Sequence, residues 1–133
     1  MTMEHMNSQL LPKLLVSDAD AAITFYREAL GAELVMRVAD DDGIVNHAEL
    51  EADSAAFALA QSVPEWGWND PAATGGSPVL LMITVPDPDA TAERMVSRGA
   101  ELVIPVENRP YGKRQGRVKD PFGHVWIVSG EPR

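Results

Sequence analysis

The chain repeats itself. Val16-Ser17-Asp18-Ala19-Asp20-Ala21 is echoed by Val85-Pro86-Asp87-Pro88-Asp89-Ala90, and Gly31-Ala32-Glu33-Leu34-Val35 returns letter for letter as Gly99-Ala100-Glu101-Leu102-Val103. In each copy an apolar run precedes the acidic turn, and a helical stretch fills the gap before the glycine. Two such half-chain units imply two similar modules that share a sheet, with a cleft where they meet. Function then depends on what lines the cleft.

Local patterns extend the repeat into a fold. Leu10–Val16 reads as a strand that ends at Asp18, and Asp18 or Asp20 can accept hydrogen bonds from the free N–H groups of a helix start. Ile23, Tyr26 and Leu30 recur at helical spacing and make one buried stripe, while Arg27 and Glu28 face water. Gly31 sits where a helix C-terminus needs positive φ. Strands follow at Glu33–Val38, Ile44–Glu51 and Ala55–Gln61, separated by turns at Asp40-Asp41-Asp42-Gly43 and Asp53-Ser54. The second half gives a strand Val79–Val85, a helix Pro88–Ser97 with proline in its first turn, and strands Glu101–Ile104, Arg117–Lys119 and His124–Ser129. Each half is β-α-β-β-β, an α+β design. Residues 1–9 read as a flexible N-terminal segment, 10–61 and 78–131 as the two modules, and 62–77 as a Trp/Pro/Gly-rich connection within one domain.

Charge and composition remove several function classes. At 133 residues the chain suits one domain. Its 20 acidic and 11 basic residues give a net charge of −9, and no basic run exceeds Lys113-Arg114, so no nucleic-acid partner is expected. It has no cysteine, hence no disulfide or thiolate site. No apolar run approaches the ~20 residues of a membrane span, and Met1–Leu10 lacks the apolar core of a secretory signal. A cytoplasmic protein without a membrane partner is expected.

Four motifs, in order and in register with the duplication, carry a family resemblance. Phe25-Tyr26 with Leu30-Gly31-Ala32, His47-Ala48-Glu49-Leu50, Tyr111-Gly112-Lys113-Arg114, and Asp120-Pro121-Phe122-Gly123-His124-Val125-Trp126 together resemble the glyoxalase/bleomycin-resistance/dioxygenase (vicinal oxygen chelate) superfamily, nearest its PhnB-like branch. The resemblance implies paired βαβββ modules that curve into a U-shaped, partly open mixed sheet around a cavity, usually in a homodimer. Enzymes of this kind usually hold a divalent metal with four His/Glu side chains. Their places correspond here to Leu11, Ala58, Leu80 and Ile127, none of which offers a lone pair. A two-residue slip keeps a side chain on the same face and offers Gln9 or Lys13, Ala56 or Ala60, Pro78 or Met82, and Val125 or Ser129, still without His, Asp or Glu. No metal and no cofactor are therefore expected.

Other residues suggest different chemistry. His47 and Glu49 share one face of their strand, opposite the better core face of Ile44, Ala48 and Leu50. They read as a hydrogen-bonded pair that orders the sheet, or as half of a relocated site for which His124 and His5 are not obviously near. The parity implied by the resemblance lines the cavity with Leu11, Lys13, Leu15, Ala56, Ala58, Ala60, Leu80, Met82, Thr84, Val125, Ile127 and Ser129. Small alanines leave volume for a ligand unless a neighbouring element fills it. Trp66 and Trp68 are costly to leave in water, so they cover either a dimer partner or the cavity mouth. Similarity to mitomycin-resistance-type drug-binding proteins implies that Trp66 and Tyr111 stack on a planar ligand. Arg109, Lys113, Arg114 and Arg117 read as solvated loop charge, with Arg114 also able to fix Tyr111 or a ligand carboxylate. Trp126 faces the helix, and His124 hydrogen-bonds locally.

Three functions compete. One is a non-catalytic protein that sequesters a small apolar or aromatic molecule, as antibiotic-resistance proteins do. The second is a lyase, isomerase or dioxygenase with a relocated or absent metal site that uses His47 as base and Glu49 as its orienter. The third is an interaction module whose cleft is closed by its dimer partner.

Overall fold

A computed structural model describes residues 7–133. Each half builds one four-stranded mixed sheet. The first contains β1 (Lys13–Val16), β2 (Glu33–Ala39), β3 (Val45–Ala52) and β4 (Ala55–Gln61) in the order β1-β4-β3-β2. The second contains β5 (Leu80–Thr84), β6 (Glu101–Asn108), β7 (Arg114–Lys119) and β8 (Val125–Gly130) in the order β5-β8-β7-β6. Helices α1 (Ala19–Leu30) and α3 (Pro88–Ser97) occupy equivalent places, and a short helix α2 (Pro71–Thr74) lies in the connection.

The repeated aspartates explain why both long helices start where they do. Asp18 and Asp87 are extended N-caps whose carboxylates accept from Ala21 N and Ala90 N, at 3.1 and 3.2 Å. Gly31 ends α1 at φ 68°, where a side chain would be strained. The expected strands and helices all form, but several boundaries move. β1 starts only at Lys13 because Pro12 has no N–H for the ladder, although its carbonyl accepts from Ala58 N. β6 runs on to Asn108 because register shifts on both sides of Ile104 accommodate Pro105. β7 correspondingly starts at Arg114.

The two halves share one core. Leu14, Val16, Ala48, Leu50, Phe57 and Leu59 from the first sheet join Ile83, Val118, Trp126 and Val128 from the second, with Ile23, Tyr26 and Met95 from the helices. Phe57 and Trp126 meet edge to face at a centroid distance of 5.4 Å, so the inner faces of the sheets are in direct contact. Trp126 is thus a core residue, as its parity indicates. The opposite faces of the sheets are what remains for ligands.

Asp120, in the β7–β8 turn, joins the halves chemically. One carboxylate oxygen accepts from Tyr26 Oη of α1 at 2.5 Å and from Trp126 Nε1 at 2.9 Å. The other accepts from the backbone N–H groups of Phe122 and His124. Burial lifts the Tyr26 phenol well above its ordinary range, and the neighbouring carboxylate adds to the effect. His124 departs from expectation. Its Nε2–H donates to the carbonyl of Leu15, 2.8 Å away and 109 residues distant in sequence, rather than to a local group.

Gly116 shows how tightly β6 lies on β7. A Cβ there would fall 2.7 Å from Val106 Cγ2, 2.8 Å from the Ile104 carbonyl oxygen and 2.9 Å from Val106 N. Two of those atoms are backbone, so the strands must part. Gly116→Ala is expected to cost about 2–3 kcal/mol by overpacking, read as a lower urea midpoint at unchanged slope.

Candidate functional site

Strand pairing defines the outer face of each sheet row by row. On the first sheet, Lys13 neighbours Ala58, Ala58 neighbours Glu49, and Glu49 neighbours Met36. Leu15 lies beside Ala60, and Val38 beside His47. His47 and Glu49 therefore face away from the core, while Ala48 and Leu50 are buried in it. Their side chains meet at 2.7 Å, both about one-third exposed. Lys13 places its ammonium 5.0 Å from the centroid of Trp68, and Trp68 meets Trp66 edge to face at 5.3 Å. A turn over Pro64–Trp66, closed by mutual hydrogen bonds between Val63 and Trp68, sets this pair. Trp66 remains 52% exposed.

Ala58 and Ala60 have no exposed surface, and only Ala56 of the alanine stripe is open. The stripe is a packed strip, covered by its neighbours.

The second sheet offers the roomier face. Its rows run Ile104–Arg117–Ile127–Met82 and Glu107–Gln115–Ser129–Thr84. A hollow of about 720 Å³ is lined here by Met82, Thr84, Ile104, Tyr111, Arg117 and Ile127, among others. Tyr111 Oη donates to Gln115 Oε1 at 2.7 Å, and Gln115 Nε2 donates to Ser129 Oγ at 2.9 Å. This relay fixes the phenol at the rim. A second groove, of about 420 Å³, runs along the seam between the halves, where Leu10, Pro12 and Ala56 face Leu80 and Met82.

The residues singled out from sequence thus fall into groups. His47, Glu49 and Ala58 belong to the first sheet, with Trp66 and Trp68 of the connection beside its Lys13; Tyr111, Met82 and Ile127 share the large hollow; Leu80 lines the seam. Arg114 needs correction. Its guanidinium is held by Asp89 in a bidentate pair at 2.7 and 2.9 Å and by Asn108, away from Tyr111. The hydrogen bond from Arg114, opposed by burial, keeps the Asp89 carboxyl below the usual range. Arg114 also lies on β7 rather than in a loop, because the strand starts three residues before the expected Arg117. Arg117 lies on the strand expected from sequence, and the alternation of Gln115, Arg117 and Lys119 with the buried Gly116 and Val118 puts it on the outer face.

The usual metal of such folds finds no fit in these residues. Ala58 stands beside Lys13, and Ile127 beside Met82, so the structural register equals the two-residue slip and still brings no donor but an ammonium and a thioether. Among the described residues, no three His, Asp or Glu side chains gather in a way that could hold a metal ion. His5 lies outside the described residues, as do 1–6 of the N-terminal segment. No helix among the described residues is long and apolar enough to cross a membrane.

A profile of the Glyoxalase/Bleomycin resistance protein/Dioxygenase superfamily matches residues 3–128. The chain belongs to this superfamily. An uncharacterized protein of Mycobacterium bovis is 39% identical to it over 126 residues, which cover 92% of this chain and 82% of that one. Among solved structures, a gene product of Arabidopsis thaliana is 28% identical with a TM-score of 0.74, covering 93% of this superfamily member and 99% of that chain. TioX from Micromonospora sp. ML1 is 25% identical with a TM-score of 0.71, covering 95% and 98%.

Proposed function

We propose that this superfamily member binds a small, largely apolar or aromatic molecule on its outer sheet faces and does not transform it. One observation carries the reading: apolar side chains stand where the metal ligands of related enzymes would stand, and two of them, Leu80 and Ile127, line open grooves instead. The floor of the large hollow is Met82, Ile104 and Ile127, and Tyr111 stands at its rim. Trp66 and Trp68 present an aromatic edge-to-face pair on the other face. Binding without chemistry suits sequestration, including antibiotic resistance, by a cytoplasmic protein of the PhnB-like branch.

The tryptophan pair lies beside Lys13 of the first sheet and Tyr111 lines the hollow of the second, so a homodimer is part of the proposal. Met36 and Val38 on one outer face and Met82 and Tyr111 on the other are all more than two-fifths exposed, and a second copy would cover them while closing a shared cavity.

A thermal-shift screen of planar aromatic molecules on chelator-treated protein tests the reading, because a ligand of the native state raises apparent stability by mass action. Concentration-dependent stabilisation is expected for at least one aromatic class. A flat response across the screen would count against it. The 2.7 Å His47–Glu49 pair favours a second reading, metal-free base catalysis. Turnover lost in a folded His47→Ala variant would select that one.

A further inference from the structure

Resting on the binding reading above, we infer that the ligand of the large hollow carries a single negative charge, received by Arg117. Arg37, Arg98, Arg109, Lys113, Arg114 and Arg133 each face a carboxylate within 4.0 Å. Among the described residues the side chains of Arg27, Arg117 and Lys119 have neither a carboxylate partner nor a hydrogen bond, although the chain holds 20 acidic side chains against 11 basic ones; of the three, Arg117 lines the large hollow. It stands in the middle of the sheet, between Ile104 and Ile127, exposed on the outer face and so within reach of a ligand.

The surroundings specify what would complete it. The hollow is lined by Arg109, Lys113 and Arg117 and by no Asp or Glu. Arg109 is occupied by Glu107 and by the carbonyls of Gln115 and Pro105, and Lys113 lies 3.9 Å from Glu131. One cation is left over. Thr84 and Ser129 add hydroxyls to the same lining, while Met82, Ile104 and Ile127 supply an apolar floor. A planar guanidinium beside an apolar floor fits a carboxylate on an aromatic body, through two parallel N–H···O bonds. The net charge of −9 would otherwise repel an anion, so a local cation is what makes the class accessible.

The test titrates 2-naphthoate and its neutral counterpart 2-naphthamide into wild-type protein, Arg117→Gln and Arg117→Lys by calorimetry at pH 7. Wild type is expected to bind the carboxylate about tenfold or more tightly than the amide. Arg117→Gln should erase that preference, and Arg117→Lys should keep part of it. Equal wild-type affinity for the two compounds would overturn the charge assignment while leaving the binding reading standing. A preference that survives in Arg117→Gln would overturn it too. Binding of neither compound would overturn the charge assignment, while the binding reading stands or falls with the wider thermal-shift screen. If Arg117 instead meets a carboxylate of a second copy, the preference is absent and Arg117→Gln shifts the sedimentation equilibrium, which also overturns it.

Discussion

Asp120→Ala is expected to cost about 3–5 kcal/mol, a large share of the 5–15 kcal/mol that holds a typical domain together. The carboxylate is 3% exposed and accepts four hydrogen bonds, from Tyr26, Trp126 and two backbone N–H groups. Removing it strands a buried phenol and a buried indole N–H, each at about 1–3 kcal/mol, and loosens the β7–β8 turn. Because Tyr26 lies in the first half and Asp120 in the second, the loss also uncouples the two repeats. Tyr26→Phe removes one donor and leaves the others, so about 1–2 kcal/mol is expected. Asp120→Asn falls between, since its amide N–H₂ would point at donors, and it serves where the alanine variant does not fold. Urea midpoints measure all three. A loss under about 1 kcal/mol for Asp120→Ala would show that water replaces the carboxylate and that this hub does not join the halves.

The second large effect concerns the aromatic residues. Trp66→Ala and Tyr111→Ala together are expected to weaken binding of a planar ligand by about 30-fold or more, since aromatic contacts contribute about 0.5–1.5 kcal/mol each beyond the area they bury. Stability should barely change, because both side chains are more than half exposed. Fluorescence titration of the single and double variants separates the contributions. Additive losses require both residues to touch one ligand, as the proposed cavity shared between two copies allows. A loss confined to Tyr111→Ala would place the ligand in the 720 Å³ hollow of a single chain and leave Trp66 as a surface contact.

What the sequence revealed follows from the range over which each interaction acts. Helix caps are local, so the repeated Asp18 and Asp87 announced both helices, and Gly31 announced the end of the first. Strand parity is local too, and it placed His47 and Glu49 opposite the core and Trp126 inside it. Alternation alone could not supply partners from distant segments. Arg114 finds Asp89 across 25 residues, His124 finds the Leu15 carbonyl across 109, and Asp120 finds Tyr26 across 94. The length of β6 was hidden because Pro105 reads as a breaker until a register shift accommodates it. Likewise, an alanine stripe is equally consistent with an opening and with close packing. In the structure the strip at Ala58 and Ala60 is closed, and the room lies on the other sheet.

The decisive experiment follows a ligand through the protein. An aromatic molecule found by the thermal screen would be titrated into metal-stripped protein by calorimetry, then recovered after prolonged incubation and weighed by mass spectrometry. Saturable, stoichiometric binding with the recovered mass unchanged is the expected result. Binding that appears only when a divalent metal is restored, or a recovered molecule of altered mass, would contradict a fold that holds its guest intact.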